Sequence, residues 1–349
     1  MKHIKLLTAI LAAIVIVLLA FIVSPILNLQ EYSAEQENIR KVPETINEES
    51  ENTGKEPEII NSNQLIFNLK YEQHLIPYPY TYEYMEETRT FEFQKMIETA
   101  KVAASEFDKG NLTYVSNYKD EHGKAPLYKG ETTDKNGRLR GAAAPAYEDL
   151  NNAEEFDYLP DGTLVRVLEE CVAENSGFSK VYSIKDQREY YIPHKYIEWQ
   201  RRLLKVEKVI VVDLKNQTIA ALENNIHLKY FKDSNTYLKN DWEIVSYSKC
   251  TTGKLGTYHQ PTPEGYFYAI EKKPFFYYLA DGTNIIAGKE PWAIRFTAGA
   301  YIHGMSLGEY SPAIGTVPLS HKCVRNYTSH AKFLYDWYEE DKTIVTVIN

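Results

Sequence analysis

The sequence predicts a mainly β protein in which an N-terminal transmembrane helix and a flexible tether precede a small β domain and a larger β-rich C-terminal domain. Three observations lead there. An apolar run opens the chain, a polar stretch follows it, and from about residue 111 short runs of β-branched and aromatic residues alternate with turn signals. The totals agree: 349 residues suffice for two domains of ordinary size, and 44% hydrophobic with 25% charged residues is a normal globular balance. A formal charge of -9 provides no basic stripe to neutralise phosphates, which argues against nucleic acid as a partner.

Residues 1–30 read as a short cytoplasmic tail and a membrane anchor. Lys2, His3 and Lys5 precede Leu6 to Ile26, a run without charge that at about 1.5 Å per residue crosses a bilayer core. Lysines on the short side keep that end in the cytoplasm, so a single-pass protein with its folded part outside the membrane is expected. A cleaved signal peptide is the alternative, but the run is long for one and no A-x-A site follows it. Residues 31–63 are rich in Glu and Asn and poor in large apolar residues, the composition of a disordered tether. As a coil it would span roughly 30 Å.

Residues 64–110 form a helical segment on this reading. Phe91, Met96, Ile97, Ala100, Val102, Ala103 and Phe107 recur with a largely 3.6-residue period, and the spacing predicts one helix over Met85 to Lys109. Residues 111–200 carry short apolar runs (LTYVSNY, TLVRVLEECV, KVYSI, EYYIP) between the turn signals DKNG, PDG and ENSG, which predicts a small β domain. Its later part is similar in pattern to bacterial SH3-like wall-associated modules: a G-x-x-V-x-V strand, a middle strand and a closing Y-I-P-x-x-Y-I. A generic β spacer that binds nothing fits the same pattern.

Residues 204–349 open with KVIVVDLKNQTIAALEN, read as two strands about a tight turn at Lys215 and Asn216, and continue with the strands WEIVSYSKCTTGK, YFYAIEKKPFFYYLA, PWAIRFTAGAYIHG and KTIVTVIN. One helix is predicted among them, Ser329 to Glu340, with Phe333, Leu334, Trp337 and Tyr338 on one face and Asn326 and Thr328 as candidate caps.

The residues that carry chemistry are Tyr301-Ile-His-Gly304 and, after a spacer of about fifteen residues, Ser320-His-Lys-Cys-Val-Arg-Asn326. Thiol acyl transfer requires a thiolate, and an imidazole beside the cysteine can take its proton. A buried, inert cysteine is the plain alternative. A helix N-terminus and a lysine nearby are expected to favour the thiolate.

An upstream His-Gly, such a spacer and then [S/T]-H-x-C, an apolar residue and Asn or Arg resemble the L,D-transpeptidase (YkuD-like) catalytic domain. Thr257 to Phe267, TYHQPTPEGYF, is similar to the family's T-P-x-G-x-F stretch, and the opening strand pair also matches. The resemblance implies a peptidoglycan L,D-transpeptidase that works without metal or organic cofactor. It makes Cys323 the nucleophile and His303 its base, with a backbone carbonyl near Gly304 orienting the imidazole and His321 shaping the oxyanion site. Arg325, Tyr301 and Ser320 become supporting or substrate-binding residues, Ser320 as the residue that holds the turn. The implied partners are peptidoglycan stem peptides, with D-Ala released from a cysteine thioester, at the outer face of a bacterial cell membrane.

Lys322 departs from the pattern, because most relatives carry Gly between His and Cys. Either the loop needs no positive φ there or its path differs, and the ammonium would lower the thiol pKa, meet a substrate carboxylate or mark an altered specificity. Resolution of the thioester by water would make the protein an L,D-carboxypeptidase, and a catalytically silent wall-binding protein is the reading from another class. A zinc site of His303, His321 and Cys323 lacks a ligand pair of usual spacing. Cys171 and Cys250 either pair across the domain boundary or lie buried in strands, and the N-x-[ST] triplets at Asn111, Asn216 and Asn326 are read as chance.

Overall fold

Alternating strands 208–213 feed both faces of one sheet: Val209 and Val211 enter one apolar cluster, Ile210 and Val212 the other. A strand covered on both sides reads as a continuous apolar run, which explains KVIVVD. In the computed structural model the described residues are 80–171, 177–229, 237–256, 260–280, 283–306 and 313–349. The chain divides into two units, Met1–Ile60 and Asn61–Asn349, and all described residues belong to the second. The anchor at 1–30 and the tether at 31–63 lie outside the described residues. Among the described residues no helix is long and apolar enough to cross a membrane.

The described part is mainly β, with two α-helices. It begins with a hairpin, β1 (Thr81–Tyr84) and β2 (Glu87–Thr90), followed by α1 (Phe93–Asp108). This corrects the expectation of one helix over Met85 to Lys109. Met85 turns the hairpin with φ +55 and is 82% exposed, and alternation with Thr and Tyr sets β1 against β2. Only from Phe93 does the apolar period hold, burying Met96, Ile97, Ala100 and Ala103 while Val102 stays exposed.

The β module follows: β3 (Leu112–Tyr114), β4 (Ala143–Ala146), β5 (Asp157–Pro160), β6 (Leu164–Glu169), β7 (Phe178–Ser183) and β8 (Arg188–Pro193). They make a four-stranded sheet in the order β3-β6-β7-β8 and a β4-β5 pair, which enclose Val115, Leu159, Val165, Val181, Tyr190 and Ile192.

The C-terminal part is one curled nine-stranded sheet. Its strands are β9 (Lys208–Asp213), β10 (Thr218–Lys229), β11 (Tyr237–Thr251), β12 (Gly265–Tyr268), β13 (Glu271–Leu279), β14 (Ile286–Thr297), β15 (Ala300–His303), β16 (Val324–Asn326) and, after α2 (Thr328–Trp337), β17 (Thr343–Ile348). The order is β12-β17-β9-β10-β11-β16-β15-β14-β13. The first apolar cluster packs α1 on one face, and the second, which includes Phe333, Leu334 and Trp337 of α2, fills the inside of the curl.

The PDG turn joins module and sheet. Gly162 has φ +84, and a Cβ there would lie 2.0 Å from the Phe296 carbonyl oxygen, so only glycine permits this approach. Tyr268 donates its N–H to the Gly162 carbonyl, Tyr114 stacks on Tyr268 at 4.6 Å, and Asp161 forms a buried ion pair with Arg295 at 2.9 Å. Asp161 also accepts from the N–H groups of Asn117 and Ala298, so both oxygens of a costly buried carboxylate are engaged.

Candidate active site

Parallel pairing of β15 with β16 builds the site. Ile302 stands opposite Val324 and His303 opposite Arg325. Side chains alternate along a strand, so Ile302 and Val324 enter the core inside the curl. Tyr301, His303, Cys323 and Arg325 are thereby sent to the other face. Cys323 ends the preceding loop, and its Sγ accepts the Tyr301 N–H at 3.4 Å, with the Gly299 carbonyl at 3.9 Å. Phe276 of β13 covers this face, stacking on Tyr301 at 4.5 Å and meeting the His303 ring edge-on at 4.8 Å.

The His303 ring has a defined tautomer. Its Nδ1 lies 2.6 Å from the Gly304 carbonyl oxygen, which can only accept, so Nδ1 carries the proton and Nε2 keeps the lone pair. Gly304 is fixed in turn: its N–H donates to Pro291, and a Cβ would come 3.1 Å from the Thr328 backbone. Thr328 is the first residue of α2, and its hydroxyl both accepts the Met305 N–H and donates to the Met305 carbonyl. This differs from the capping role expected for Thr328 and Asn326. The N-cap position is Tyr327 with no side-chain cap bond, Asn326 pairs with His330, and the helix ends at Trp337 instead of Glu340.

Burial decides the resting charges. It lowers His303 to about 4, with the Gly304 bond opposing and Arg325 adding to the shift. It raises the Cys323 thiol to about 11, against the Tyr301 N–H, Arg325 and Lys322. Burial thus works against the thiolate that a nearby lysine is expected to favour, because desolvation outweighs the Lys322 charge. The resting pair is a neutral thiol and a neutral base.

The loop before Cys323 is tied at several points. Ser320 donates its hydroxyl to the Cys323 carbonyl, and the N–H groups of Leu319 and Ser320 share the Thr252 carbonyl. Thr252 is held by both amide atoms of Gln217. The Thr262 hydroxyl accepts the Gly253 N–H and donates to the Lys322 carbonyl, each at 2.8 Å. Lys322 has φ +97. The loop thus adopts a positive φ of the kind that favours glycine, and keeping a lysine there costs about 1–3 kcal/mol.

Residues 207–347 match the YkuD family, the L,D-transpeptidase catalytic domain. This region is an L,D-transpeptidase catalytic domain. The chain is also similar to solved L,D-transpeptidases. For one from Mycobacterium smegmatis the identity is 16%, covering 53% of this chain and 82% of that chain, with a TM-score of 0.32. For L,D-transpeptidase 1 of Mycobacterium tuberculosis the values are 17%, 46%, 78% and 0.29. For a cysteine-to-serine mutant of the Enterococcus faecium enzyme they are 14%, 77%, 87% and 0.31. No curated protein matches the chain.

Within this transpeptidase domain the structure brings Cys323, His303, Tyr301 and Arg325 onto one face and uses Gly304 and Ser320 as fasteners. His321 is exposed beside them, and Lys322 turns toward the β module. The stretch 257–259 lies outside the described residues, whereas Thr262 and Gly265 of the same motif hold the loop before Cys323 and open β12. Sequence reasoning missed Phe276, Thr252 and Asp161. Only the motif position of Thr262 and the PDG turn offered a signal. Among the described residues no group of three or more His, Cys, Asp or Glu side chains is arranged to hold a metal ion. Nor do Cys171 and Cys250 pair: Cys171 is exposed and free, Cys250 buried and free.

Proposed function

We propose that the protein is a peptidoglycan L,D-transpeptidase acting through a Cys323 thioester, anchored by residues 1–30 with its catalytic domain outside the bacterial cell membrane. The observation that carries this reading is the Nδ1 tie of His303, which leaves Nε2 as a base on the face that presents the Cys323 thiol. Sγ attacks the carbonyl between the third stem residue and D-Ala while His303 takes the thiol proton. The C–N bond breaks, and the departing amine of D-Ala receives that proton. An amine from a second stem then attacks the thioester, the C–S bond breaks, and the proton passes back to sulfur through His303. Water in place of the amine gives the carboxypeptidase outcome. Arg325, with its charge beside the imidazole, disfavours a lasting imidazolium and so favours return of the proton. Tyr301 supports the thiol through its N–H, and His321, exposed beside Cys323, helps to shape the oxyanion site.

The test is mass spectrometry of the full chain incubated with tetrapeptide stems carrying lysine or diaminopimelate in third position. The expected product is Cys323 bearing the tripeptide acyl group, with free D-Ala. An added amine acceptor should yield cross-linked peptide. Intact stems and unmodified Cys323 would leave a silent wall-binding protein as the better reading. Protease added to wall-stripped cells should digest the catalytic domain, and its protection would overturn the orientation.

A further inference from the structure

A cavity of about 220 Å³ lies at the seam of the β module and the catalytic domain. Thr262, Ala298 and Lys322 wall it on one side, Arg138, Lys185 and Asp186 on the other. Its cations are not equivalent. The Arg138 guanidinium is held by both carboxylate oxygens of Asp186. Lys185 is exposed at the mouth and Lys322 half-buried farther in, and among the described residues neither ammonium has a hydrogen-bond or ion-pair partner. Asp161 faces Lys322 without contact, its oxygens being committed to Arg295, Asn117 and Ala298, while Glu264 on the rim faces Lys185.

Lys322 stands out twice. It precedes the nucleophile directly, and it holds a positive φ that glycine would hold without strain. An unpartnered ammonium in a strained backbone position, aimed into a cavity, is a feature whose explanation is sought in function. Burial lowers its pKa, and an anion beside it would favour the charged form.

We propose that Lys322 and Lys185 form a subsite for the terminal carboxylate of the stem peptide whose carbonyl Cys323 attacks. This rests on the transpeptidase reading and deepens it. The carboxylate of a terminal D-Ala is separated from the scissile carbonyl by one nitrogen and one Cα. The Lys322 ammonium and the Cys323 sulfur act on each other's charge, each favouring the ionised form of the other, so the two lie near enough for one short substrate segment to meet both. Lysine serves as a mobile point charge, with three donors for the carboxylate oxygens.

Acylation kinetics of the full chain with a stem ending in D-Ala and with the same stem as its C-terminal amide test the subsite. The free acid should be preferred by about 10- to 100-fold in kcat/KM, mainly through KM, as for a charge-assisted hydrogen bond. Lys322→Met should bring the ratio close to one, Lys322→Arg should restore part of it, and Lys185→Met should lower it by about threefold. Lys322→Gly should lose the preference while raising the melting temperature, a pairing that a merely structural lysine would not give. Lys185→Met, at the exposed mouth, carries the test if Lys322→Met does not fold. Equal rates for acid and amide, with thioester formed from both, would overturn the subsite alone. An unchanged ratio in Lys185→Met and Lys322→Gly would do the same. Absence of thioester from either peptide would overturn the transpeptidase reading and the subsite with it.

Discussion

Two buried cysteines flank strand β16 and face opposite sides of the sheet, one in the loop that leads into it and one across the ladder. Cys250 of β11 pairs with Asn326 and faces the core inside the curl, wholly buried among Val245, Ile302 and Val324. Cys323 faces the other way, 9% exposed, beneath Phe276 and Tyr301. Burial raises both thiols, and for Cys250 the Asp213 carboxylate raises it further. Burial therefore does not separate a core cysteine from the proposed nucleophile. Their partners do: only Cys323 shares its face with a histidine whose tautomer is fixed, and only its Sγ receives a backbone N–H.

The largest effect that tests this contrast is removal of the sulfur itself. Cys323→Ala should reduce acylation by about 10⁴-fold or more, the scale seen when a nucleophile is removed. A carbapenem-type β-lactam, which offers a strained amide to the same sulfur, should label Cys323 and leave Cys250 and Cys171 unmodified in peptide maps. Label on Cys250 would break the comparison.

Next in size is the base. His303→Ala should slow acylation at neutral pH by about 10²- to 10⁴-fold with the fold intact. The pH profile adds a sign. His303 is neutral above about 4, so its base form is complete across the physiological range, and the wild-type rate should level off there. Without the imidazole the reaction waits for free thiolate, whose pKa is about 11, so the variant's rate should climb about tenfold per pH unit. The ratio of wild type to variant should thus shrink as pH rises. Parallel profiles would deny His303 its role.

His321→Ala should cost less than about tenfold. His321 is exposed, and the loop beneath it is held by Ser320, Thr252 and Thr262. If this variant were the slower one and lost the plateau, the two histidines would exchange roles.

What was legible in the sequence follows from where the information is local. Two-sided burial made the strands at 208–213 and 343–348 readable as apolar runs, and the alternation that puts His303 and Cys323 on one face is a property of any strand. The hairpin ahead of α1 was not legible, because a helical period beginning at Phe93 was extended backward through Glu-rich positions that fit either structure. The caps of α2 failed similarly: Thr328 and Asn326 are good cap residues, but Met305 and His330 engage them first. The thiol charge is not legible locally: the lysine beside Cys323 is visible in the sequence, whereas the desolvation that outweighs it depends on Phe276, Ala293 and Tyr301 arriving from other strands. Lys322 was visible as a departure, and only the backbone revealed that the departure is strained.

The smallest expected effect on chemistry belongs to Cys250→Ala. Its sulfur fills space in the core, and trimming it leaves a gap of about one methylene, which typically costs about 0.5–1.5 kcal/mol of stability. No partner loses a hydrogen bond through its side chain, and its backbone bonds to Gln217 and Gly315 do not depend on sulfur. Acylation at a temperature well below unfolding should therefore stay within about twofold of wild type while the melting temperature falls by a few degrees. The same ladder joins Cys250 to Asn326 and Thr251 to Arg325, so the variant also asks whether β11 transmits packing to the catalytic face. A tenfold loss of acylation with an unchanged melting temperature would show that it does, and the two sides of β16 would then be one coupled site instead of a core and a reactive face.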